Sequence, residues 1–235
     1  MINKFTLMSI MVFISGYAFA TTPEELLTAV DQNSSLVTDI RYDMVTTRTV
    51  NTRTTIVTSR YYYKSPNRTR TENSDGSGLV MVKQDAKIRI KDLKSGGVRE
   101  IPTAANISNG SNYISYLSIY DITTTAVTDN VYTLQCLPKN EDPNISKVVM
   151  IVDGTKSLIN EIIKYDQDNN VVHHLTNNSP QLINSIWYAL SSVTEENIII
   201  RKPGNQLPEI NSMRIEIHYS GVNINAGVDE SMFVF

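Results

Sequence analysis

Hydrophobic and polar positions alternate over much of this chain, which is the pattern of half-buried β-strands. The alternation is clearest in residues 40–44, 87–91 and 213–219, and it also predicts a short closing strand at residues 231–235. Residues 180–200 are predicted to hold a strand or a short helix around Trp187, and residues 201–208 a loop. Short polar segments such as residues 74–77 and 168–170 separate the alternating stretches and predict turns. Because strands joined by short turns pair in an antiparallel sense, the spacing predicts a meander of about ten strands in one large sheet.

Two segments depart from the alternation and predict helices. Thr22, Pro23 and Glu25 have the order of a capped helix start, and the apolar residues that follow predict a short helix that packs on something larger. Residues 113–120 place apolar side chains at the i, i+3, i+4 spacing of a helix, which residues 109–111 can start. We interpret the second segment as a helical insertion across one sheet face, either an ordinary packing helix or a mobile lid.

The N-terminus has the composition of an export signal. Lys4 supplies a positive charge, residues 5–19 are mainly apolar, and a small-x-small cleavage site ends at Ala20. We predict that residues 1–20 are a signal peptide cleaved between Ala20 and Thr21, which would place the mature chain in the periplasm. A membrane anchor is the alternative, but the apolar run is short for a membrane span.

Composition limits the classes of function that the mature chain can have. Residues 21–235 are enough for one domain with a sizeable core, and we predict a single domain there. The formal net charge is −3 with scattered basic residues, which argues against nucleic-acid binding. Cys136 is the only cysteine of the sequence, so no internal disulfide is expected, and its apolar surroundings predict a buried, inert thiol.

The sequence contains little that indicates catalysis. His173 and His174 are adjacent on a predicted strand and would point to opposite faces, so they cannot chelate one metal in the usual way. His218 is a lone strand histidine, and no motif for a nucleophile, a phosphate loop or a zinc protease is present. We therefore expect no enzymatic activity, no metal site and no cofactor.

Aromatic residues give a stronger indication of a binding site. Tyrosines with an apolar body and a polar tip suit a concave site that opens to water, although simple core packing is the alternative for each of them. The candidate ligand-binding residues are Tyr61, Tyr63, Tyr113, Tyr116, Leu117, Tyr120 and Trp187.

Two arginines that follow the tyrosine-rich stretch are candidates for a charged contact. Pro66 predicts a turn, and beyond it Arg68 and Arg70 fall on one face of a strand. They could contact a lid or lipid headgroups. The alternative is a solvated strand face on which Glu72 is their partner.

These motifs and their order resemble those of the LolA-type periplasmic lipoprotein carriers and their RseB-like relatives. The resemblance rests on Lys-x-Pro followed by Arg-x-Arg-x-Glu in residues 64–72, on Asp85 before residues 87–88, on residues 132–139, and on the closing residues 228–235. It implies a mainly β (α+β) fold, with a single large curved antiparallel sheet that forms a half-open β-barrel. Short helices would cap its apolar concave face.

The resemblance also implies a function. A carrier of this family shields the acyl chains of lipoproteins, or another lipid, and exchanges them with inner- and outer-membrane lipoprotein-sorting proteins; we expect a monomer. Ser65, Thr69 and Thr71 depart from the family pattern, in which an arginine and aromatic residues are usual, and this indicates a specialised member. The alternatives are an RseB-like sensor that binds a protein partner and, from the terminal Phe235, a small outer-membrane barrel.

Overall fold

The alternating segments form one antiparallel sheet, which has thirteen strands in the part of the chain that the computed structural model describes, residues 21–102, 112–200 and 209–235. The strands are β1 (Asp39–Val50), β2 (Arg53–Lys64), β3 (Arg68–Asn73), β4 (Gly78–Gln84), β5 (Lys87–Asp92), β6 (Val98–Pro102), β7 (Tyr120–Thr128), β8 (Val131–Pro138), β9 (Lys147–Asp153), β10 (Leu158–Tyr165), β11 (Val171–Ile183), β12 (Ile186–Ile200) and β13 (Glu209–Ile224). The helical pieces are α1 (Pro23–Ser35), a 3₁₀ turn (Tyr113–Ser115) continued by α2 (Tyr116–Ile119), and a C-terminal 3₁₀ helix (Glu230–Phe233).

In the middle of the sheet, the first strand of the chain pairs with the last. The strand order is β6-β5-β4-β3-β2-β1-β13-β12-β11-β10-β9-β8-β7. β1 and β13 are antiparallel, with Ile40 opposite Ile224 and Val50 opposite Met213. β6 and β7 are the two edges, and the curved sheet stays open between them. The predicted mainly β, half-open barrel is confirmed.

Helices cover one face of this sheet, which we call the inner face. α1 buries Leu26, Leu27 and Val30 against β8, β9 and β10, and the segment from the 3₁₀ turn to α2 packs beside it. A second buried cluster on the inner face contains Tyr42 and Tyr63. The short helices that were expected to cap the sheet are therefore present.

The C-terminal residues cover part of the opposite face, which we call the outer face. Tyr61 and Tyr63 belong to the inner cluster, whereas Tyr62 packs with Val80 and Phe233 on the outer face. This is the alternation that the sequence predicts, because successive side chains of a strand leave the sheet on opposite sides.

Two expectations about the elements need correction, and a third, which left two alternatives open, is decided by the structure. The strand count exceeds ten, partly because the short edge strand β6 was not recognised. The helical pattern of residues 113–120 holds only to Ile119, since Tyr120 begins β7. Residues 180–200, which could be strand or short helix, are extended on both sides of a tight turn at Asn184 and Ser185, where both φ angles are positive.

The prediction of a strand at residues 231–235 is wrong. The chain forms a 3₁₀ helix there, and the Asp229 side chain caps it by accepting a hydrogen bond from the Ser231 N–H at 2.8 Å. The alternating apolar residues of this segment pack onto the outer face instead of pairing with an edge strand, so alternation alone misled the prediction.

Some expectations lie outside the described residues. These are the signal peptide at 1–20, the helix start at 109–111 and the loop at 201–208. Among the residues that are described, no helix is both long enough and apolar enough to cross a membrane.

Candidate functional site

The site is built around α1, whose start is fixed by its own sequence. The Thr22 N–H donates to Glu25 Oε2 at 2.8 Å, and the Glu25 N–H donates to Thr22 Oγ1 at 3.2 Å, so the predicted capping box is confirmed. Leu27 is fully buried against the sheet. A helix of 13 residues has little stability alone, so its apolar face must hold it on the sheet.

Two polar side chains in the second half of α1 anchor the surrounding chain. The Asp31 carboxylate accepts hydrogen bonds from the backbone N–H groups of Tyr113 and Ile114, both at 2.8 Å, and so fastens the start of the 3₁₀ turn to α1. Asn33 bonds both backbone groups of Trp187: its amide donates to the Trp187 carbonyl at 2.9 Å, and the Trp187 N–H donates to Asn33 Oδ1 at 3.3 Å. These contacts fix α1 relative to the helical segment and to β12.

A groove remains on the inner face between α1 and the sheet. It has a volume of about 200 Å³. Most of its lining is aliphatic or aromatic: Val30, Val37, Tyr113, Leu158, Ile159, Ile186, Trp187, Tyr188, Ala189 and Tyr219. Three polar residues, Asn33, Ser34 and Asn177, complete the lining. An apolar lining with a few polar groups is the usual composition of a site for a hydrophobic ligand.

Four tyrosines beside the groove form a packed group, which we call the tyrosine cluster: Tyr42, Tyr61, Tyr188 and Tyr219. The Tyr42 ring stacks on Tyr61 and meets Tyr219 edge-on, with both ring centroids 4.9 Å away. The Tyr42 and Tyr188 rings also pack together, with their centroids 6.5 Å apart. Burial, and after it the neighbouring phenols, raise the pKa of Tyr42 far above its ordinary value. Burial raises the pKa of the other three as well.

The remaining titratable candidates serve the fold. Cys136 is buried below α1, as predicted, and burial raises the pKa of its thiol to about 12. His173 lies beside Glu196 at 3.2 Å and His174 beside Glu161 at 3.0 Å. Within residues 21–102, 112–200 and 209–235, no group of three or more His, Cys, Asp or Glu could hold a metal ion.

The structure brings some of the predicted ligand-binding residues together. Tyr113 and Trp187 line the groove, and Tyr61 and Tyr63 belong to the adjoining cluster. Tyr116, Leu117 and Tyr120 lie further along, packed against the core below α1, where the Tyr116 and Tyr120 rings stack at 5.3 Å. The role of all these residues in ligand binding stays a prediction.

The two arginines lie on the outer face, away from the groove. Arg68 forms an ion pair with Glu230, and the Arg70 Nη1–H donates to the Met232 carbonyl at 2.9 Å. Arg70 also pairs with Glu72, at 2.6 Å from Nε to Oε1. Both arginines thus hold the C-terminal segment, and a contact with lipid headgroups stays a prediction.

Two members of the tyrosine cluster, Tyr42 and Tyr219, were not among the candidates. They lie on β1 and β13, the first and last strands of the chain. Each lies in a stretch of strand-forming residues, so the sequence is enough to predict that it is buried. The contact between them cannot be predicted from local sequence, because it depends on the pairing of β1 with β13, which are separated by most of the chain.

Removing the Asp31 carboxylate should loosen the helical segment. We expect Asp31→Ala to lower the free energy of unfolding by about 1–3 kcal/mol, because two part-buried N–H groups lose their acceptor. Hydrogen exchange of the Tyr113 and Ile114 amides should accelerate. The control is Glu24→Ala, which removes an exposed carboxylate from the first turn of the same helix. Equal exchange rates in the two variants would contradict the anchoring role.

Comparison with known proteins identifies the fold. No protein-family model matches the chain, and no match is found among the curated proteins. A DUF1329 family protein from Desulfovibrio piger matches with a TM-score of 0.60 and 16% identity, over 90% of this chain and 95% of that one.

Two further solved structures agree with this match. An outer membrane lipoprotein-sorting protein domain from Vibrio parahaemolyticus has a TM-score of 0.56 and 12% identity, over 88% of this chain and 95% of that one. The LolA superfamily protein NE2245 from Nitrosomonas europaea has a TM-score of 0.55 and 10% identity, over 92% of this chain and 99% of that one. The resemblance seen in the sequence is thus confirmed at the level of the fold: this chain has a LolA-like fold.

Proposed function

We propose that the chain is a non-catalytic periplasmic carrier or binding protein that holds the acyl chain of a lipoprotein, or another lipidated or hydrophobic ligand, in the groove below α1. The observation that carries this proposal is the apolar and aromatic lining of that groove. Each methylene removed from water gains about 0.8 kcal/mol, so an acyl chain needs such a shelter to cross an aqueous compartment. The LolA-like fold, and the lipoprotein sorting named for the Vibrio protein, support a role in sorting to the outer membrane.

The groove is too small to hold an acyl chain without some movement of the residues around it. Its volume of about 200 Å³ is below the range of about 300–1,000 Å³ that is usual for ligand pockets. A bound acyl chain must therefore displace part of the cover. The segment that begins at Tyr113 is held to α1 by the two hydrogen bonds of Asp31 and by packing against the core below α1. We propose that this segment yields when the ligand enters.

A groove-filling variant tests the carrier proposal. We expect Ala189→Trp to weaken binding of a palmitoylated peptide about tenfold or more, because an indole that excludes two methylenes removes about 1.6 kcal/mol of binding free energy. Ala126→Trp is the matched control, since Ala126 is exposed on the edge strand β7. Binding can be followed by fluorescence titration, and bound lipid by mass spectrometry of the purified protein. Absence of lipid together with no affinity for the palmitoylated peptide would exclude the carrier function.

The small volume also favours a second candidate function, a sensor that binds a protein partner. Such a partner needs no room for an acyl chain, so a largely filled inner face would suffice. The same peptide with and without its palmitoyl group separates the two functions. A carrier should bind only the acylated form. A sensor that recognises a peptide of its partner should bind that peptide equally well with and without the palmitoyl group.

A further inference from the structure

The outer face carries a depression where the pairing of β1 with β13 is irregular and β13 has one extra residue. The pairing of β1 with β13 shifts register between Arg41, which lies opposite Asn223, and Asp43, which lies opposite Ser220. A β-bulge of this kind bends the strand and re-aims its side chains, and bulges are frequent beside binding sites. Gly221, with a φ of +60°, lies at the irregular step of β13. A Cβ added there would have Asp43 Oδ2, at 3.8 Å, as its nearest neighbour, so no side chain fills the space above it.

The depression has room for a small ligand. Its volume is about 330 Å³, which is within the range of about 300–1,000 Å³ that is usual for ligand pockets. Its lining is mostly polar: Arg41, Tyr42, Asp43, Arg60, Tyr62, Gly221 and Asn223. Arg41 pairs in register with Tyr62, which belongs to the outer-face cluster, so the depression and the groove below α1 lie on opposite sides of the sheet.

Hydrogen-bond donors and positive charge are in excess around this depression. The Arg60 Nε–H donates to Asp43 Oδ1 at 2.7 Å. The Asn223 amide donates to the Gly221 carbonyl at 2.7 Å. The Arg41 side chain has no hydrogen-bond or ion-pair partner among the described residues. The negative charge of Asp43 thus neutralises the positive charge of Arg60, whereas no carboxylate neutralises that of Arg41 among the described residues.

We infer that this depression is a binding site for a phosphate group, either free phosphate or the phosphate of a lipid headgroup. Arg41 would supply the fixed positive charge and a planar fork of donors that fits the oxygens of an oxyanion. Arg60 would add its remaining N–H groups, while Asp43 holds it in place. The inference does not depend on the proposed function of the inner groove, because it concerns other residues on the opposite face.

Titration with inorganic phosphate, followed by calorimetry and by NMR shifts of the β1 amides, tests the site. We expect saturable binding to the mature chain. Arg41→Gln should weaken it about tenfold or more, because a charge-assisted pair is lost. Arg53→Gln is the matched control: it removes the same charge from an exposed position at the far end of the β1–β2 hairpin, and its effect should stay within about twofold.

Two further measurements distinguish the source of the phosphate and protect the result against a folding defect. Gly221→Asn keeps a residue type that tolerates positive φ but fills the depression, so it should also abolish binding. Vesicles of phosphatidylglycerol, compared with vesicles of phosphatidylcholine, test for a headgroup; binding to the former that Arg41→Gln removes would support the site even if free phosphate bound weakly. The inference is overturned if the wild-type chain binds neither probe, or if Arg41→Gln and Arg53→Gln reduce binding equally.

Discussion

Above pH 10, the free energy of unfolding is expected to fall by about 4 kcal/mol per pH unit, because three phenols of the tyrosine cluster, those of Tyr42, Tyr61 and Tyr188, resist ionisation only in the folded chain. A group whose pKa is raised by folding contributes its full stability below its unfolded-state pKa, which is 10.0 for tyrosine, and loses it as the pH rises towards the folded-state value. Each phenol that ionises only on unfolding adds about 1.4 kcal/mol per pH unit. Since a domain of this kind is stable by about 5–15 kcal/mol, it should unfold within a few pH units.

Substitution of one tyrosine isolates this effect from other alkaline transitions. Tyr42→Phe keeps the ring that stacks on Tyr61 but removes the hydroxyl with the most strongly raised pKa. The steepness with which the unfolding free energy declines with pH, measured by urea titrations between pH 10 and pH 12, should fall by about 1.4 kcal/mol per pH unit. Tyr165→Phe is the control, because this ring lies outside the cluster and against Lys147. An unchanged slope in Tyr42→Phe would show that the phenols of the cluster already ionise in the folded chain.

The strands that the sequence predicts well are those that bury one face. Residues 87–91 and 213–219 alternate because one side meets the core or the covered face, and both lie in strands, β5 and β13. β7 lacks this signal. It is a threonine-rich edge strand whose residues are largely exposed, so neither face selects apolar side chains, and its first residue instead completes the helical pattern of the preceding segment.

The site is less predictable than the strands because it depends on contacts that are distant along the chain. The aromatic content indicated a concave, partly apolar face, and Tyr113 and Trp187 do line the groove. Which tyrosines meet there depends on the pairing of β1 with β13, and turn chemistry carries no information about that pairing. Arg68 and Arg70 illustrate the same limit: their common face was predictable, but the C-terminal segment that occupies it was not.

The second large effect concerns the helix that covers the groove. Leu27→Ala should lower the free energy of unfolding by about 2–5 kcal/mol, because Leu27 is fully buried and the strands below it cannot collapse into the space that its side chain leaves. Chemical unfolding followed by circular dichroism measures this loss. The 13-residue helix depends on tertiary packing for its stability, so the cavity should also loosen α1 locally.

Leu36→Ala is the matched control for this prediction, because it is the same substitution at the C-cap of the same helix. Leu36 is 55% exposed, whereas Leu27 is 0% exposed, so the control should change stability by no more than about 0.5 kcal/mol. If α1 covers a ligand site, Leu27→Ala should weaken binding of the palmitoylated peptide under conditions in which the variant is still folded, and Leu36→Ala should not. Equal stability losses in the two variants would mean that α1 is not held by its apolar face, and the groove below it would then have no fixed cover.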